Sequence, residues 1–323
     1  MLNSNNLFIS INKELMQLNV NLKKMVTAQH PILYAAAEHL FSAGGKRIRP
    51  SIILLIAKIT TNNNKIWPEH KRLAEITEII HTASLVHDDV IDDCETRRGI
   101  NTVHSIFSTR IAVLAGDFLF AQSSWYLANL KNLEVVQIIS KVITDFAEGE
   151  VRQGLTTFDT NISIEDYIEK SFYKTASLIA SSCKATAVLS NRDEEIQNDF
   201  YLYGKHIGLA FQIIDDILDI TSTSNNLGKP AGSDLKNGNL TAPLIFALED
   251  NKELYKLINT EFQNDKDIKK AIDIIKKGNG VQKAKDLAEE HIQLAIQIIY
   301  NTYSCKNTKI LISLSQYILN RIN

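Results

Sequence analysis

Apolar residues recur at every third or fourth position through most of the chain, whereas alternating runs typical of β-strands are scarce. A period of this kind places the apolar side chains on one face of an α-helix, so the pattern predicts an all-α protein. The predicted helices cover residues 11–27, 31–42, 49–61, 71–93, 111–129, 133–153, 164–189, 196–220, 241–247, 254–258, 268–277, 281–300 and 310–322.

Polar segments separate these helices and lie at residues 61–70, 95–105, 156–163 and 221–240. The last segment is the longest, and its Asn, Gly, Ser and Pro residues favour turns. A long loop inside a compact domain is usually functional, and this one holds Lys229, Asp234 and Lys236. We therefore predict that it forms a lid over a binding site.

The length of 323 residues and the hydrophobic fraction of 45% allow a large core. No internal repeat and no change of composition marks a boundary, so we predict a single domain over residues 1–323, in which residues 1–29 form an N-terminal helical extension. The formal net charge of −2 gives no reason to expect nucleic acid as a partner.

The cysteines Cys94, Cys183 and Cys305 are odd in number and widely spaced. This usage fits a reducing compartment and predicts neither a disulfide framework nor a thiolate metal site. No apolar run approaches the roughly 18 residues that indicate a membrane span. The N-terminus has neither a signal-peptide pattern nor the composition of a transit peptide. We expect the protein to work in the compartment where it is made.

The segment HTASLVHDDVIDDCETRRG, residues 81–99, concentrates four aspartates at the end of a predicted helix. Asp88 and Asp92 lie one turn apart on one face, and Asp89 and Asp93 lie on the neighbouring stripe. Each like-charge pair on a helix costs a few tenths of a kcal/mol. Paired carboxylates at this spacing suit Mg²⁺, which takes oxygen ligands from protein, water and substrate phosphates.

Other interpretations of this segment remain open at this point. Its aspartates would also fit a solvated helix end. His87 and Asp88 would fit the metal dyad of an HD-type phosphohydrolase with His81 as a further ligand, although a two-residue match is weak. A di-iron carboxylate bundle requires a Glu-x-x-His pair on each of two helices, and the sequence has only the single match Glu78–His81.

A second cluster lies in FQIIDDILDI, residues 211–220, where Asp215, Asp216 and Asp219 interrupt an otherwise apolar helix. Burying three carboxylates without compensation is prohibitive. We therefore predict that the two clusters face one another across a helical cavity with divalent ions between them. The hypothesis also requires that arginines of the chain do not neutralise these acids.

Basic residues accompany both clusters and indicate an anionic substrate. GGKRIRP, residues 44–50, places basic side chains at a helix start, and Lys174 lies within an apolar helix. Arg97 and Arg98 follow the first cluster and are placed to bind anions rather than to pair with the aspartates. Two diphosphate groups, one held by Mg²⁺ and one by cationic side chains, account for this set.

Five segments resemble, in this order, the motifs of the trans-polyprenyl diphosphate synthases: GGKRIRP, LVHDDVIDDCETRRG, FYKTASL, GLAFQIIDDILD and GKPAGSDLKNGNLTAP. The resemblance runs from about residue 30 to the C-terminus, and segments such as AGDFLFAQSSWYLANL look most like the cyanobacterial and plastid solanesyl-type enzymes. It implies the isoprenoid synthase fold, a single large helical bundle around a deep central cavity, and a homodimer.

The resemblance also implies roles for individual residues. About three Mg²⁺ ions are expected, on Asp88, Asp89, Asp92, Asp215, Asp216 and Asp219. Contacts to the allylic diphosphate are implied for Arg97, Lys174, Lys229 and Lys236, and contacts to isopentenyl diphosphate for Lys46, Arg49, His81 and Arg98. Thr175 and Gln212 would present oxygens to the developing allylic cation. The residues implied in catalysis are Asp88, Asp92, Lys174, Thr175, Gln212 and Asp215.

The implied activity is condensation of isopentenyl diphosphate with an allylic diphosphate to give a long all-trans polyprenyl diphosphate of the nonaprenyl (solanesyl) class, for a quinone such as plastoquinone. A plastid or a bacterial cytoplasm is the expected location, with peripheral membrane contact for product release. A non-catalytic partner subunit tends to have degraded aspartate motifs, and both motifs are intact here. A terpene cyclase would leave Lys46, Arg49 and Arg98 without a purpose.

Product length should depend on the helix face below the first cluster. Running back from Asp88, this face carries Ser84, Ile80 and Thr77, which lie about 6, 12 and 16 Å deeper at 1.5 Å per residue. Neither Ser84 nor the flanking Ala83 is aromatic, so no bulky side chain stops a growing chain one turn down. We therefore predict a long product, with Ile80 as a potential plug at mid-length.

Overall fold

The structure is a computed structural model that describes residues 8–42, 44–222, 232–302 and 308–322. In chain order its helices are α1 (Asn12–Met25), α2 (Pro31–Ser42), α3 (Ile48–Thr60), α4 (Pro68–Ile91), α5 (Val103–Ile106), α6 (Thr109–Ala128), α7 (Leu133–Leu155), α8 (Ile164–Ser171), α9 (Ser177–Leu189), α10 (Glu194–Thr221), α11 (Ser233–Lys236), α12 (Ala242–Asp250), α13 (Lys252–Asn259), α14 (Asp265–Lys277), α15 (Gly280–Thr302) and α16 (Thr308–Leu319). The predicted all-α class is confirmed.

Backbone contacts divide the chain into two compact units. Unit 1 comprises Met1–Ile143, Leu178–Gly204 and Ile298–Leu314, and unit 2 comprises Thr144–Ser177, Lys205–Gln297 and Ser315–Asn323. Helices α7, α9, α10, α15 and α16 contribute residues to both units. The single domain over residues 1–323 stays a prediction.

The core of unit 1 is built around α4, which packs against α3 and α6. Its buried face includes Leu73, Ile76 and Ile80, all at 0% exposure, at the three- and four-residue spacing of an amphipathic helix. α4 begins at Pro68, which suits the first turn of a helix because the missing N–H would have no partner there. The first aspartate cluster therefore lies at the C-terminal end of a helix that the core holds in place.

The N-terminal extension is part of unit 1 rather than a separate appendage. Leu18, Leu22 and Met25 of α1 are buried, and α1 packs against α4. The amide of Asn21 donates a hydrogen bond to Glu75 at 2.5 Å. The helical character predicted for this segment is therefore found over Asn12–Met25.

A short β-hairpin within residues 95–105 was not foreseen. Strands β1 (Thr96–Arg97) and β2 (Ile100–Asn101) pair in antiparallel register, with Arg97 opposite Ile100. The two-residue turn between them has positive φ at both positions, 54° at Arg98 and 78° at Gly99, as the tight hairpin turn requires. The hairpin thus fixes the two arginines that follow the first aspartate cluster.

In unit 2, the helix predicted over residues 164–189 contains a single π-helical turn, Phe172–Ala176, between α8 and α9. Such turns are rare and cluster at functional sites. Gly208 of α10 lies against it so closely that an added Cβ would stand 2.5 Å from Ala176 Cα. The turn carries Lys174 and Thr175, so the departure from regular helix falls on two predicted site residues.

Among the described helices, α6 alone is long and apolar enough to cross a membrane by length and composition, with a mean hydropathy of 1.2 over its most apolar stretch. No span had been predicted. One third of that stretch is buried, and Ala112, Ala115 and Leu119 are fully buried. α6 therefore contributes to the core of unit 1, and length and composition by themselves are weak evidence for a span.

Unit 2 also contains a partly buried histidine pair. The Nδ1 atoms of His206 on α10 and His291 on α15 lie 2.9 Å apart. Burial is the main cause that lowers the pKa of each imidazole to about 4, and the positive charge of the nearby Lys205 contributes to this shift. Both imidazoles are therefore neutral near pH 7.

As the pH falls, the stability of the His206→Gln/His291→Gln variant should rise relative to that of wild type. A histidine of the unfolded chain takes up a proton near pH 6.5, whereas the folded pair resists protonation until about pH 4. The pair's contribution is therefore complete above pH 6.5 and is lost as the pH falls towards 4.

Thermal melts at pH 7.5, 6, 5 and 4.5 test this, with exposed His30→Gln as control. The difference in melting temperature between double variant and wild type should shift in favour of the variant below pH 6.5. A difference that does not change with pH would contradict the assignment.

Candidate active site

The first aspartate cluster (Asp88, Asp89, Asp92 and Asp93) lies where α4 ends. Asp88 and Asp92 are half-buried, and Asp92 is the C-terminal cap of the helix. Asp89 is only 1% exposed, whereas the Asp93 side chain is 99% exposed. Asp88 and Asp92 share one face as predicted, and Asp93 points to solvent.

The buried member of this cluster is paired with an arginine of the hairpin. The Arg97 side chain donates a hydrogen bond to Asp89 Oδ1 at 2.5 Å. Burial raises the pKa of Asp89, and the charge of Arg97 counteracts this rise. Asp89 Oδ2 is buried without a hydrogen-bond partner among the described residues. The expectation that Arg97 does not pair with an aspartate is wrong.

Basic groups surround His81 on the same helix. Arg49 donates a hydrogen bond to His81 Nε2 at 3.0 Å. Burial lowers the pKa of His81 well below its usual value, and the charges of Arg49, Arg98, Arg97 and Arg47 lower it further. His81 is therefore a neutral acceptor in a region of positive potential. Such a region suits a multiply charged anion.

The segment GGKRIRP supplies this region from the start of α3. Arg47 points inward and forms a buried ion pair with Glu78 of α4, so it holds α3 to α4. Lys46 is exposed and Arg49 is half-buried. At Gly45, an added Cβ would stand 3.0 Å from Arg98 Nη1. Glycine thus allows Arg98 to approach this segment.

Arg98 and His87 each contact another segment of unit 1. Arg98 donates a hydrogen bond to the Gly44 carbonyl oxygen. His87 Nε2 lies 3.1 Å from the Val113 carbonyl oxygen and 3.7 Å from Asp117. His87 thus contacts α6, which gives the phosphohydrolase interpretation no support from this residue.

The second aspartate cluster (Asp215, Asp216 and Asp219) lies on α10 in unit 2. Asp216 is 4% exposed and accepts hydrogen bonds from the Tyr167 hydroxyl at 2.6 Å and the Gln212 amide at 2.8 Å. Burial raises the pKa of Asp216, and the negative charge of Asp234 raises it further. Neutral donors therefore satisfy both of its oxygens.

Asp219 anchors the chain that follows the predicted lid. Its Oδ1 accepts a hydrogen bond from the Ser233 hydroxyl at 3.1 Å, and its Oδ2 accepts one from the Asp234 backbone N–H at 3.3 Å. Lys236 is exposed, and Lys229 lies outside the described residues. Asp219 therefore organises α11, and its predicted metal contact stays a prediction.

Asp215 is paired with an arginine near the end of the chain. Arg321 Nη2 lies 2.7 Å from Asp215 Oδ1, and its guanidinium carbon lies 4.5 Å from the centre of the Phe211 ring. Nothing in the sequence pattern indicated Arg321, because it is more than 100 positions from Asp215. A metal ion at Asp215 would have to compete with this guanidinium.

Of the remaining predicted residues, Lys174 and Gln212 line one cleft of unit 2, and Thr175 contacts Gln212. Lys174 Nζ lies 3.0 Å from Glu150 Oε1 and donates to Gln153 at 3.2 Å, while the Thr175 hydroxyl donates to Gln212 Oε1 at 2.5 Å. The cleft lining includes side chains that the sequence argument missed: Gln153, Tyr167, Lys170, Ser171 and Asn239. Of these five residues, only Lys170 is conspicuous in the sequence, because it places a charge inside a predicted helix.

The predicted residues fall into two groups, one in each unit. Unit 1 holds Lys46, Arg49, His81, Arg97 and Arg98 with the first aspartate cluster, and unit 2 holds Lys174, Thr175 and Gln212 with the second. That the two clusters face one another across a cavity stays a prediction.

The first cluster fits a divalent cation in the type and spacing of its donors. Asp88 and Asp92 offer carboxylate oxygens one helical turn apart. Among the described residues, no group of three or more His, Cys, Asp or Glu side chains forms a complete metal site. Two carboxylates fit a cation such as Mg²⁺, which takes its remaining ligands from water and phosphate oxygens.

Fold and site together define a class of protein, the all-α enzymes that handle diphosphates with aspartate-bearing helices. A model of the polyprenyl synthetase family matches residues 30–275. A prenyl transferase of Porphyra purpurea is 59% identical over 323 residues, which is 100% of both chains. The chloroplastic solanesyl-diphosphate synthase 2 of Oryza sativa subsp. japonica is 51% identical over 290 residues, covering 89% of this chain and 72% of the relative.

A solved structure agrees with these sequence relatives. Polyprenyl synthase of Caulobacter crescentus CB15, complexed with calcium and isoprenyl diphosphate, superposes with a TM-score of 0.92 at 30% identity, covering 98% of this chain and 97% of that chain. The chain belongs to the polyprenyl synthetase family. The resemblance stated from the motifs and the predicted isoprenoid synthase fold are both confirmed.

Family membership also corrects one criterion drawn from the sequence. Arginines pair with Asp89 and Asp215, a situation that had been taken as evidence against an enzyme. That criterion is wrong, because the chain is a family member despite both pairs. Use of a divalent metal agrees with the family and with the calcium-bound relative.

Arg321→Gln should raise the affinity of the protein for Mn²⁺, because it removes the cation that competes at Asp215. The expected gain is roughly fivefold, since a partly exposed ion pair contributes about 1 kcal/mol or less. An Mn²⁺ titration of the full chain by electron paramagnetic resonance, without substrates, measures it.

Two further variants control this experiment. Lys309→Gln removes an exposed charge from α16 and should leave the affinity unchanged. The gain should vanish in Arg321→Gln/Asp215→Asn, because the carboxylate itself is then lost. Equal Mn²⁺ affinity of wild type and Arg321→Gln would show that the arginine does not compete with the metal.

Proposed function

We propose that the protein condenses isopentenyl diphosphate with an allylic diphosphate to make a long all-trans polyprenyl diphosphate of the nonaprenyl (solanesyl) class. The observation that carries the proposal is the end of α4, where Asp88 and Asp92 lie close in sequence to a neutral His81 under the positive potential of four arginines. The two aspartates suit a cation, and the basic surroundings of His81 suit an anion, as a metal–diphosphate substrate requires. The solanesyl-diphosphate synthase from rice supports the product class.

The reaction begins with cleavage of the allylic C–O bond, whose electron pair leaves with the diphosphate. Bound Mg²⁺ supplies Lewis-acid stabilisation of this leaving group, and Asp88, Asp89, Asp92 and Asp215 are the residues that would hold it. The resemblance assigns Arg97 and Lys174 to the same diphosphate, where their positive charge would lower the barrier further. Lys229 and Lys236 are assigned to it by the resemblance.

The second substrate is held by a separate basic group. The diphosphate of isopentenyl diphosphate is bound by Lys46, Arg49, His81 and Arg98. Arg49 donates a hydrogen bond to His81, so these two side chains act together. The double bond of this substrate attacks the allylic cation and forms the new C–C bond. Loss of a proton to the released diphosphate then restores a double bond.

The cation itself is stabilised by neutral oxygens. Gln212 lines the unit 2 cleft beside Lys174, and the Thr175 hydroxyl donates to its Oε1, so hydroxyl and amide dipoles are offered in place of water. Such preorganised dipoles favour a developing charge without supplying a nucleophile that would trap it.

The product fits a quinone side chain, such as that of plastoquinone. A plastid or a bacterial cytoplasm is the proposed location, supported by the chloroplastic relative and by a cyanobacterial prenyl transferase from Synechocystis at 53% identity. Peripheral membrane contact would serve release of the long product. We also propose a homodimer, because α6 exposes Val113, Leu114 and Trp125.

Asp88→Ala and Asp215→Ala should each fold normally and lose at least about 100-fold in turnover, because the leaving diphosphate loses its charge compensation. Asp93→Asn is the matched control, since Asp93 is exposed in the same cluster and Asn tolerates its positive φ of 49°.

Purified protein is incubated with labelled isopentenyl diphosphate, farnesyl or geranylgeranyl diphosphate and Mg²⁺, and the lipid product is counted and sized. Near-wild-type turnover in either alanine variant would overturn the assignment of that aspartate. No labelled polyprenyl product from wild type with any primer would overturn the proposed function.

Ser84→Phe should shorten the product, because the half-buried Ser84 lies one turn below Asp88 and its replacement would block the path of the growing chain. Ile91→Phe, at a 61% exposed position of the same helix, is the control and should leave the length unchanged. Reversed-phase chromatography of the products measures chain length. The tunnel hypothesis fails if Ser84→Phe still yields the wild-type length.

A further inference from the structure

Tyr167 of α8 is among the largest fully buried side chains described, and its hydroxyl is committed to a carboxylate. It is 1% exposed and donates a hydrogen bond of 2.6 Å to Asp216 Oδ2. Burial, followed by the negative charge of Asp216, raises the pKa of the Tyr167 phenol well above its usual value. The phenol therefore stays protonated and remains a donor at any pH at which the protein works.

This donor completes the hydrogen bonding of Asp216. Oδ2 faces Tyr167, and Oδ1 accepts the Gln212 amide at 2.8 Å. A metal ion on Asp216 would compete with these buried donors for the carboxylate oxygens, and a donor that lost its partner would do so at considerable cost. Asp216 is therefore better suited to orient its donors than to ligate a cation, in contrast to its predicted metal role.

The hydrogen bonds continue from Asp216 to the π-helical turn. Gln212 donates through its amide nitrogen to Asp216, so its Oε1 faces Thr175, whose hydroxyl donates to it at 2.5 Å. Thr175 itself is held in place because Gly208 lies directly against Ala176. Tyr167, Asp216, Gln212 and Thr175 thus form one hydrogen-bonded series, in which Tyr167 and Gln212 both donate to Asp216 and Thr175 donates to Gln212.

We propose that Tyr167 is a positioning residue that acts through Asp216 to set the orientation of the Gln212 amide and the Thr175 hydroxyl. The inference rests on the proposed function, in which these two groups face the allylic cation. Without the Tyr167 hydroxyl, Asp216 Oδ2 needs another buried donor, and rotation of the Gln212 amide supplies one. That rotation breaks the bond to Thr175 and misdirects both dipoles.

A neighbouring lysine does not substitute for the tyrosine. Lys170 Nζ lies in the same cleft, where burial lowers its pKa and the charge of Asp216 offsets only part of that effect. It already donates to Asn239 Oδ1 at 2.6 Å and contacts the Leu240 carbonyl oxygen at 3.5 Å. Moving Lys170 to Asp216 would leave these acceptors unpaired, so the hydroxyl of Tyr167 is not redundant.

The test compares Tyr167→Phe with Tyr203→Phe in the full-length enzyme. Tyr203 is also fully buried, and its hydroxyl donates to the Leu311 carbonyl oxygen at 3.4 Å in unit 1, so its replacement controls for loss of a buried hydroxyl. Tyr167→Phe should reduce kcat about 10- to 100-fold, the usual effect of losing a residue that orients a ligand-binding group. KM for both diphosphates should stay within about twofold, because binding is unaffected.

Two additional measurements separate positioning from stability. Melting temperatures of the two variants should agree within a few degrees, and Mn²⁺ affinity of Tyr167→Phe should equal that of wild type. Asp216→Asn should cost little further kcat in the Tyr167→Phe background, because both changes break the same series. Unchanged kcat in Tyr167→Phe, or a loss matched by Tyr203→Phe, would overturn the proposal, as would weaker Mn²⁺ binding in Tyr167→Phe.

A crystal structure of Tyr167→Phe tests the proposal without any assay of turnover. The Gln212 amide should have rotated, and the Thr175 hydroxyl should no longer donate to it. An unchanged Thr175–Gln212–Asp216 series would overturn the positioning role. Failure of the proposed function has a different signature, because wild type would then form no polyprenyl product while the rotation of Gln212 would still be seen.

Discussion

Burial of carboxylates on helices that otherwise pack apolar side chains is the constraint on which this structure depends. A charge removed from water must find a partner, and an isolated buried carboxylate is prohibitively unfavourable. Asp89 and Asp216 are both nearly inaccessible, yet their partners differ. Arg97 neutralises Asp89 with charge, whereas Tyr167 and Gln212 satisfy Asp216 with neutral hydrogen bonds.

These two solutions give the aspartates of each cluster different tasks. In the first cluster, the pair of Asp89 with Arg97 ties the hairpin to α4, while the half-buried Asp88 and Asp92 remain on the face suited to a cation. In the second cluster, Asp219 organises α11. A run of acids that looks uniform in the sequence is therefore divided between structure and chemistry.

Three of the eleven non-glycine residues with positive φ in the described part of the chain lie close to the predicted site. Arg47, Asp93 and Arg98 have positive φ values of 49°, 49° and 54°, a conformation that most L-residues avoid. The π-helical turn adds a further irregularity at Lys174 and Thr175. Such features persist only where surrounding contacts hold them, and here the Arg47–Glu78 ion pair and the Gly208–Ala176 contact do so.

Much of this protein could be predicted from residue order. The three- and four-residue period determined the helices, since a core of packed helices demands that period whatever their arrangement. Both aspartate clusters and the basic segment GGKRIRP were recognisable because their residues are neighbours on one helix turn or one helix start. Their order along the chain was sufficient to identify the family.

The tertiary structure decided which partners these polar side chains take from distant parts of the chain. Asp215 meets Arg321, Asp216 meets Tyr167, and Arg47 meets Glu78. Periodicity reports which face of a helix is apolar but contains no information about which polar group lies opposite a given side chain. That depends on how helices pack, so the distinction between a carboxylate available for a metal and one already committed within the protein had to come from the folded structure.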